Sequence, residues 1–394
     1  MHIDQPNATT FTTGKLAFAH RSRSQPDSLR LSREWTLKYD CKMDFILRLL
    51  IWAGLLTNPD KSFRNKILFC VFSVCYLLVI VDFLISIFIS VWNKNFLLKI
   101  HVLQMMTYVM SILTWYAMRQ KRKLFTSLVS LMNNAHPFKL AKFEKFILFF
   151  ICSTPIIFAF TIAIGITFLE QDQYIKYGSI MNLYLRGTVL TLKHLITSLV
   201  FPTWANLLVL IYYRLCKTVC LMIRDLTEEI EKCSVQDFTP SKQANIINQE
   251  LKINRVVQYL QEIFSVSSFL LSIAHFGICI SVLGLLFKIT IANISLHFAI
   301  TLLLNLANSF AGLMTCLWMA GGLPVEASKF KEAFRRKINQ RLMFLHEEED
   351  IFFEKCLPDI SSYLLSGCNI IYFQRSSILA VVGTLLSYTF LLIN

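Results

Sequence analysis

Seven apolar stretches, at 67–91, 96–118, 146–169, 187–213, 263–287, 296–320 and 376–393, alternate with connections that hold nearly all of the basic charge. Each stretch is about as long as the roughly 20 apolar residues a helix needs to cross a hydrocarbon core. Segments of this kind are committed to helix, because in lipid every backbone N–H and C=O must be satisfied internally. Of 39 Lys and Arg residues, 33 fall in four segments: 11 before the first stretch, 7 between the second and third, 7 between the fourth and fifth, and 8 between the sixth and seventh. The remaining connections carry only Lys94, then Lys176 with Arg186, then Lys288. Basic residues stay on the cytoplasmic side. The expected architecture is therefore an all-α membrane protein of seven transmembrane helices, with the amino terminus cytoplasmic and the carboxyl terminus extracellular.

Composition narrows the functional classes. A chain of 394 residues with 55% hydrophobic and 16% charged residues is a multi-pass membrane protein, expected in the plasma membrane. The net charge of +14 is the cytoplasmic bias summed over four segments facing an anionic leaflet, so no nucleic-acid partner is implied. None of the eleven Cys falls in the external connections 92–95, 170–186 or 288–295, and all are read as reduced thiols or small core filler. No HExxH, G-x-S-x-G or Walker sequence is present, so neither an enzyme nor a cofactor is expected. His346 and the acidic residues 347–350 read as a solvated charge run rather than a metal site. A transporter is disfavoured because no internal repeat is visible. A G-protein-coupled receptor is disfavoured because its amino terminus lies outside.

Four regions follow. Residues 1–66 form a cytoplasmic tail and an interfacial helix at 45–56, too short to span and interrupted by Arg48. Residues 67–320 form a six-helix bundle whose cytoplasmic helical connection, 214–262, is broken near Pro240. Residues 321–375 form cytoplasmic anchor helices, with Phe330, Phe334 and Ile338 recurring every fourth residue. Residues 376–394 form the seventh helix.

Polar side chains collect at helical spacing in the outer halves of several spans. The second offers His101, Gln104, Tyr108 and Ser111, and the fourth Thr191, His194 and Ser198. The fifth adds His275, and the sixth adds His297, Thr301, Asn305 and Asn308. Such groups are unfavourable at membrane depth unless they face protein or water. Their common depth predicts an outward-opening pocket for a small organic ligand, with helix–helix hydrogen bonding as the simpler use. Asp82 and Lys193 are deeper charges, each destabilising by roughly 2.5–3.5 kcal/mol alone, and are expected to pair.

The end of the chain is more specific. The segment 374–379 reads Gln-Arg-Ser-Ser-Ile-Leu, followed by Gly383, Thr384 and then Ser387-Tyr388 with five further residues before Asn394. This resembles the carboxyl-terminal signature of the arthropod (insect and arachnid) gustatory receptor family: Thr-Tyr, five mostly hydrophobic residues, then Gln-Phe. Ser387 stands for the Thr, Tyr388 for the Tyr, and Asn394 for the Gln, while the final Phe has no counterpart. The resemblance implies a ligand-gated, non-selective cation channel assembled as a homo- or hetero-tetramer, opened by a small-molecule tastant and embedded in membrane lipid. By position, Gly383, Thr384, Ser387, Leu391 and Asn394 would line the pore, Leu391 would act as a hydrophobic gate, and Tyr388 would meet the adjoining subunit. With Asn394 last, its carboxylate is expected to add a ring of negative charge at the outer mouth.

Overall fold

The computed structural model describes residues 45–56, 63–92, 98–135, 141–169, 183–288, 296–345 and 357–393. Nearly all of them are helical. In chain order the helices are α1 (Phe45–Trp52), α2 (Phe63–Trp92), α3 (Leu98–Gln120), α4 (Arg122–Ala135), α5 (Lys142–Leu169), α6 (Leu183–Ser198), α7 (Trp204–Lys232), α8 (Pro240–Lys288), α9 (Leu296–Ala320), α10 (Gly322–Leu345) and α11 (Ser377–Ile393). Among the described residues, each of the seven apolar stretches lies in helix, apart from a π turn in the fourth and Ser376 just before α11. Among the described residues, four helical segments are long and apolar enough to cross a membrane, lying in α5, α6–α7, α8 and α9–α10, while Phe69–Ile85 and Ser377–Leu391 are shorter apolar helices.

Large apolar side chains stand exposed along whole helix faces: Val71, Val74, Leu78 and Ile85 on α2, and Phe146, Phe149, Ile156 and Phe160 on α5. Continuous apolar faces of this size are foreign to a water-exposed surface. They suit hydrocarbon.

Helix α1 is short because Gly54 stops it. Gly54 adopts φ +74°, and the Gly54 and Leu55 N–H groups reach back to the Ile51 and Leu50 carbonyls at 3.0 and 2.9 Å. This is the Schellman closure that glycine favours. The Trp115 indole donates to the Ala53 carbonyl at 3.0 Å, tying α1 to α3.

Helix α8 is the central rod, packed on α3, α7, α9 and α11. Its 49 residues extend about 74 Å at 1.5 Å each, more than twice a hydrocarbon core of about 30 Å. The apolar part begins at Ile263, and the arm before it is polar. Around it α7 and α10 pack together, with Phe330, Phe334 and Ile338 of α10 all buried.

Between α10 and α11 runs a strap: a 3₁₀ turn at Ile360–Tyr363, then a small antiparallel hairpin, β1 (Ser366–Gly367) with β2 (Ile371–Tyr372), pairing Ser366 with Tyr372. Cys368 and Asn369 hold φ of 53° and 57°, and Ile370 N–H bonds the Gly367 carbonyl at 2.9 Å. Two successive positive φ angles define a type I′ turn. Gly367 packs closely here: a Cβ would lie 3.0 Å from that of Phe269 on α8, a tight contact.

Candidate functional site

The fourth apolar stretch breaks where α6 becomes α7. Leu199–Thr203 forms a π turn in which Phe201 is extended (φ −152°, ψ 128°) and Pro202 follows. Proline supplies no N–H and clashes with the preceding turn, which accounts for the kink. The Val200 carbonyl is taken up by the Ser111 hydroxyl of α3 at 3.1 Å.

Phe201 is thereby turned into the bundle, 2% exposed, and links a chain of rings. Phe83 of α2 lies 4.5 Å from Tyr108 of α3, Tyr108 lies 6.1 Å from Phe201, and Phe201 lies 5.4 Å from the His275 imidazole of α8. His275 is fully buried, and neither ring nitrogen has a hydrogen-bond partner. Gly312 of α9 accommodates that ring, since a Cβ there would sit 2.8 Å from it.

Beside these rings, Lys193 Nζ of α6 lies 2.7 Å from Asp82 Oδ1 of α2. The arrangement is an aromatic and polar cluster, with one internal ion pair, among α2, α3, the π turn and α8. Such a cluster can stack on and hydrogen-bond a small polar organic molecule.

Of the residues singled out from sequence, Tyr108, Ser111 and His275 join this cluster, and His194 follows Lys193 on α6. Ser198 is buried, and Gln104, Thr191, Thr301 and Asn305 are half-buried on their helices. Asn308 does different work, accepting at 2.7 Å from the Asn206 amide and joining α9 to α7. His101 and His297 lie on α3 and α9, but their side chains fall outside the described residues, as does Asn394 entirely. So do the tail 1–40 and the acidic run 347–350.

Helix α11 packs with one face only. Leu385 and Thr389 are 4% and 1% exposed, whereas Gly383, Thr384, Ser387 and Leu391 lie exposed on the opposite face. The hydroxyls of that face bond their own helix, Thr384 to the Ala380 carbonyl at 2.7 Å and Ser387 to Gly383 at 3.0 Å. They therefore need no partner across the helix, and the small side chains leave the backbone open to close approach.

Sequence reasoning missed two features. Phe201 carries no signal beyond the proline after it. A cavity of about 220 Å³ between α3, α8 and α11 is lined by Leu103, Met106, Thr107, Ile273, Phe276, Gly277, Ile280 and Tyr388. Tyr388 stands edge-on to Phe276 at 6.5 Å. Nothing in the spacing of apolar residues marks such a gap.

No family model matches the sequence, and no curated protein matches it. Among solved structures, the chain is similar to the insect olfactory receptor OR5 from Machilis hrabei. The TM-score is 0.67 with 13% identity, over 89% of this chain and 96% of that one. At this identity the likeness is one of fold alone.

Proposed function

We propose that the chain is a gustatory-type chemoreceptor: one subunit of a tetrameric, ligand-gated, non-selective cation channel opened by a small extracellular tastant. In this reading it crosses the plasma membrane seven times, with the amino terminus in the cytosol. The likeness to an insect olfactory receptor over nearly the full chain supports the chemoreceptor class. The observation that carries the channel reading is the division of α11, with one buried face against the bundle and an opposite face of Gly383, Thr384, Ser387 and Leu391 left open. A single helix encloses no conduit, so four copies of that face around an axis are the economical way to make one. The cluster around Tyr108, Phe201 and His275 is the ligand site. Its occupant prefers one arrangement of α8, and α8 carries α11.

The test is a screen of small tastants on cells expressing only this chain, recorded by patch clamp. The expected result is ligand-evoked cation current without added G protein. A response that requires a G protein, or a tag after Asn394 that antibodies cannot reach on intact cells, would overturn the reading.

A further inference from the structure

The arm of α8 presents a polar stripe to the strap that leads into α11. Glu250, Asn254, Gln261 and Ser265 recur at spacings that share one helical face. The Asn254 amide donates to Ser362 Oγ at 3.1 Å. Gln261 donates to the Ser366 carbonyl at 3.0 Å and accepts from its N–H at 2.9 Å. Ser265 Oγ accepts from the Cys368 N–H at 3.0 Å. At the foot of the stripe the Tyr363 hydroxyl donates to Glu250 Oε1.

Glu250 and Tyr363 are only 3% and 2% exposed. Glu250 Oε2 has no partner, and neither does Asn254 Oδ1 one turn on. Both are acceptors. A small cavity beside them is walled by Phe330 and Lys331 of α10 and by Leu357 and Ile360 of the strap. The charged or titratable groups facing the carboxyl are Tyr363 from the strap and Lys331 from α10, with Asp359 in turn feeling Lys331. Beyond the hairpin, Phe373 is fully buried and the Arg375 guanidinium lies 4.6 Å over the Trp318 ring. The strap is thus docked along its length, and Glu250 is the ionisable member of the stripe that docks it.

We propose that Glu250 is a cytosolic proton-binding site that sets how tightly the 360–373 strap holds to α8, and so biases the position of α11. A proton on Oε2 supplies the donor that two neighbouring acceptors lack, and it removes a buried negative charge. Burial pushes this carboxyl up to about 7 from its ordinary 4.5, outweighing the lowering by the Tyr363 hydrogen bond and by Lys331. The docked form therefore holds a proton that the undocked form releases between those values. The proton's contribution to docking is full below about 4.5 and is lost as pH rises through about 7. Between about pH 7.5 and about pH 6, acidification tightens docking about eightfold. The cytosolic assignment rests on the proposed orientation, whereas the proton-binding step does not.

The test is deuterium exchange of the 360–373 amides in the full chain in lipid nanodiscs, corrected for intrinsic exchange. Opening of the strap is expected to be about eightfold rarer at pH 6 than at pH 7.5, and pH-independent in Glu250→Gln. Tyr363→Phe should move the midpoint to higher pH, because the hydroxyl that favours the charged form is gone. Flat protection in the unaltered chain overturns the proposal, as does an unchanged pH profile in Glu250→Gln. Should Glu250→Gln fail to fold, the Tyr363→Phe midpoint decides, and an unmoved midpoint counts against Glu250. In inside-out patches at fixed agonist, open probability should follow cytosolic pH in step with the strap. A pH-sensitive strap with pH-insensitive gating would overturn the link to α11. Absence of current at every pH would count against the channel reading, while the exchange result still decides the proton site.

Discussion

Lys193 and Asp82, on α6 and α2, face each other at 2.7 Å within the bundle. Side-chain exposures of 24% and 18% leave both only partly solvated, so neither charge is stable there alone. Removing one partner from a buried pair destabilises by about 3–5 kcal/mol. Asp82→Lys or Lys193→Asp should each abolish surface expression, and the double swap should restore a large part of it. Surface biotinylation reads the outcome, and a double swap no better than either single change would show that the two charges act separately.

Glu144, at the start of α5, holds a second cluster. Its side chain is 1% exposed, with Arg214 at 2.7 Å and Lys217 at 2.9 Å, both from α7. It also accepts the Ala141 N–H at 2.9 Å, the reach-back half of a capping box. Glu144→Ala should therefore cost about 3–5 kcal/mol, read as a lower thermal midpoint in detergent. Adding Arg214→Met and Lys217→Met should recover part of that loss, because no cation is then left beside an apolar site.

Two glycines should behave in opposite ways. A Cβ on Gly321 would meet the Arg375 backbone N at 2.7 Å, while one on Gly383 would meet nothing within 4 Å. Gly321→Ala is expected to destabilise by about 1–3 kcal/mol, as overpacking does. Gly383→Ala should leave stability the same or raise it by up to about 1 kcal/mol, since alanine favours helix. Under the pore reading it should nonetheless lower single-channel conductance. Thermal midpoints and unitary currents on the same pair of variants separate the two effects.

The helical stretches were legible because hydrocarbon imposes one rule on every residue within them, and apolar runs broken by basic connections record that rule. Pairing Asp82 with Lys193 needed only the cost of isolated charge in an apolar medium. The strap was not legible. Its hairpin turns on Cys368 and Asn369, and a Cys-Asn pair is a weaker turn signal than Asn-Gly or Asp-Gly. Glu250 reads in sequence as one more charge on a polar helix, because its burial is supplied by Tyr363, more than a hundred residues away. Phe201 gains its role from a local kink, and the cavity beside Tyr388 from the way three distant helices meet. Contacts of that kind are set by packing rather than by periodicity.

Within the proposed ligand site, Tyr108, Phe201 and His275 are the groups that a bound molecule would stack on or bond to. His275→Leu satisfies the site sterically while removing two unpartnered nitrogens, so it should leave folding intact. A ligand that hydrogen-bonds there should lose about 1.5 kcal/mol or more, roughly a tenfold rise in the half-maximal concentration. Dose–response curves with matched maximal current check this. An unchanged curve for every active ligand would move the site elsewhere, with the cavity beside Tyr388 the next place to look.

Leu391 tests the last helix most directly. It stands 68% exposed near the end of α11, on the face shared with Ser387 and Thr384. In lipid this leucine would be unremarkable, and exchanging it for serine would only weaken insertion slightly. As a hydrophobic constriction it would hold the closed pore dry, and a hydroxyl there would let water and ions persist. Leu391→Ser should therefore raise ligand-independent current severalfold, while Leu386→Ser, on a flanking face of the same helix and 48% exposed, should not. Equal leak from both variants, or from neither, would separate Leu391 from the gate.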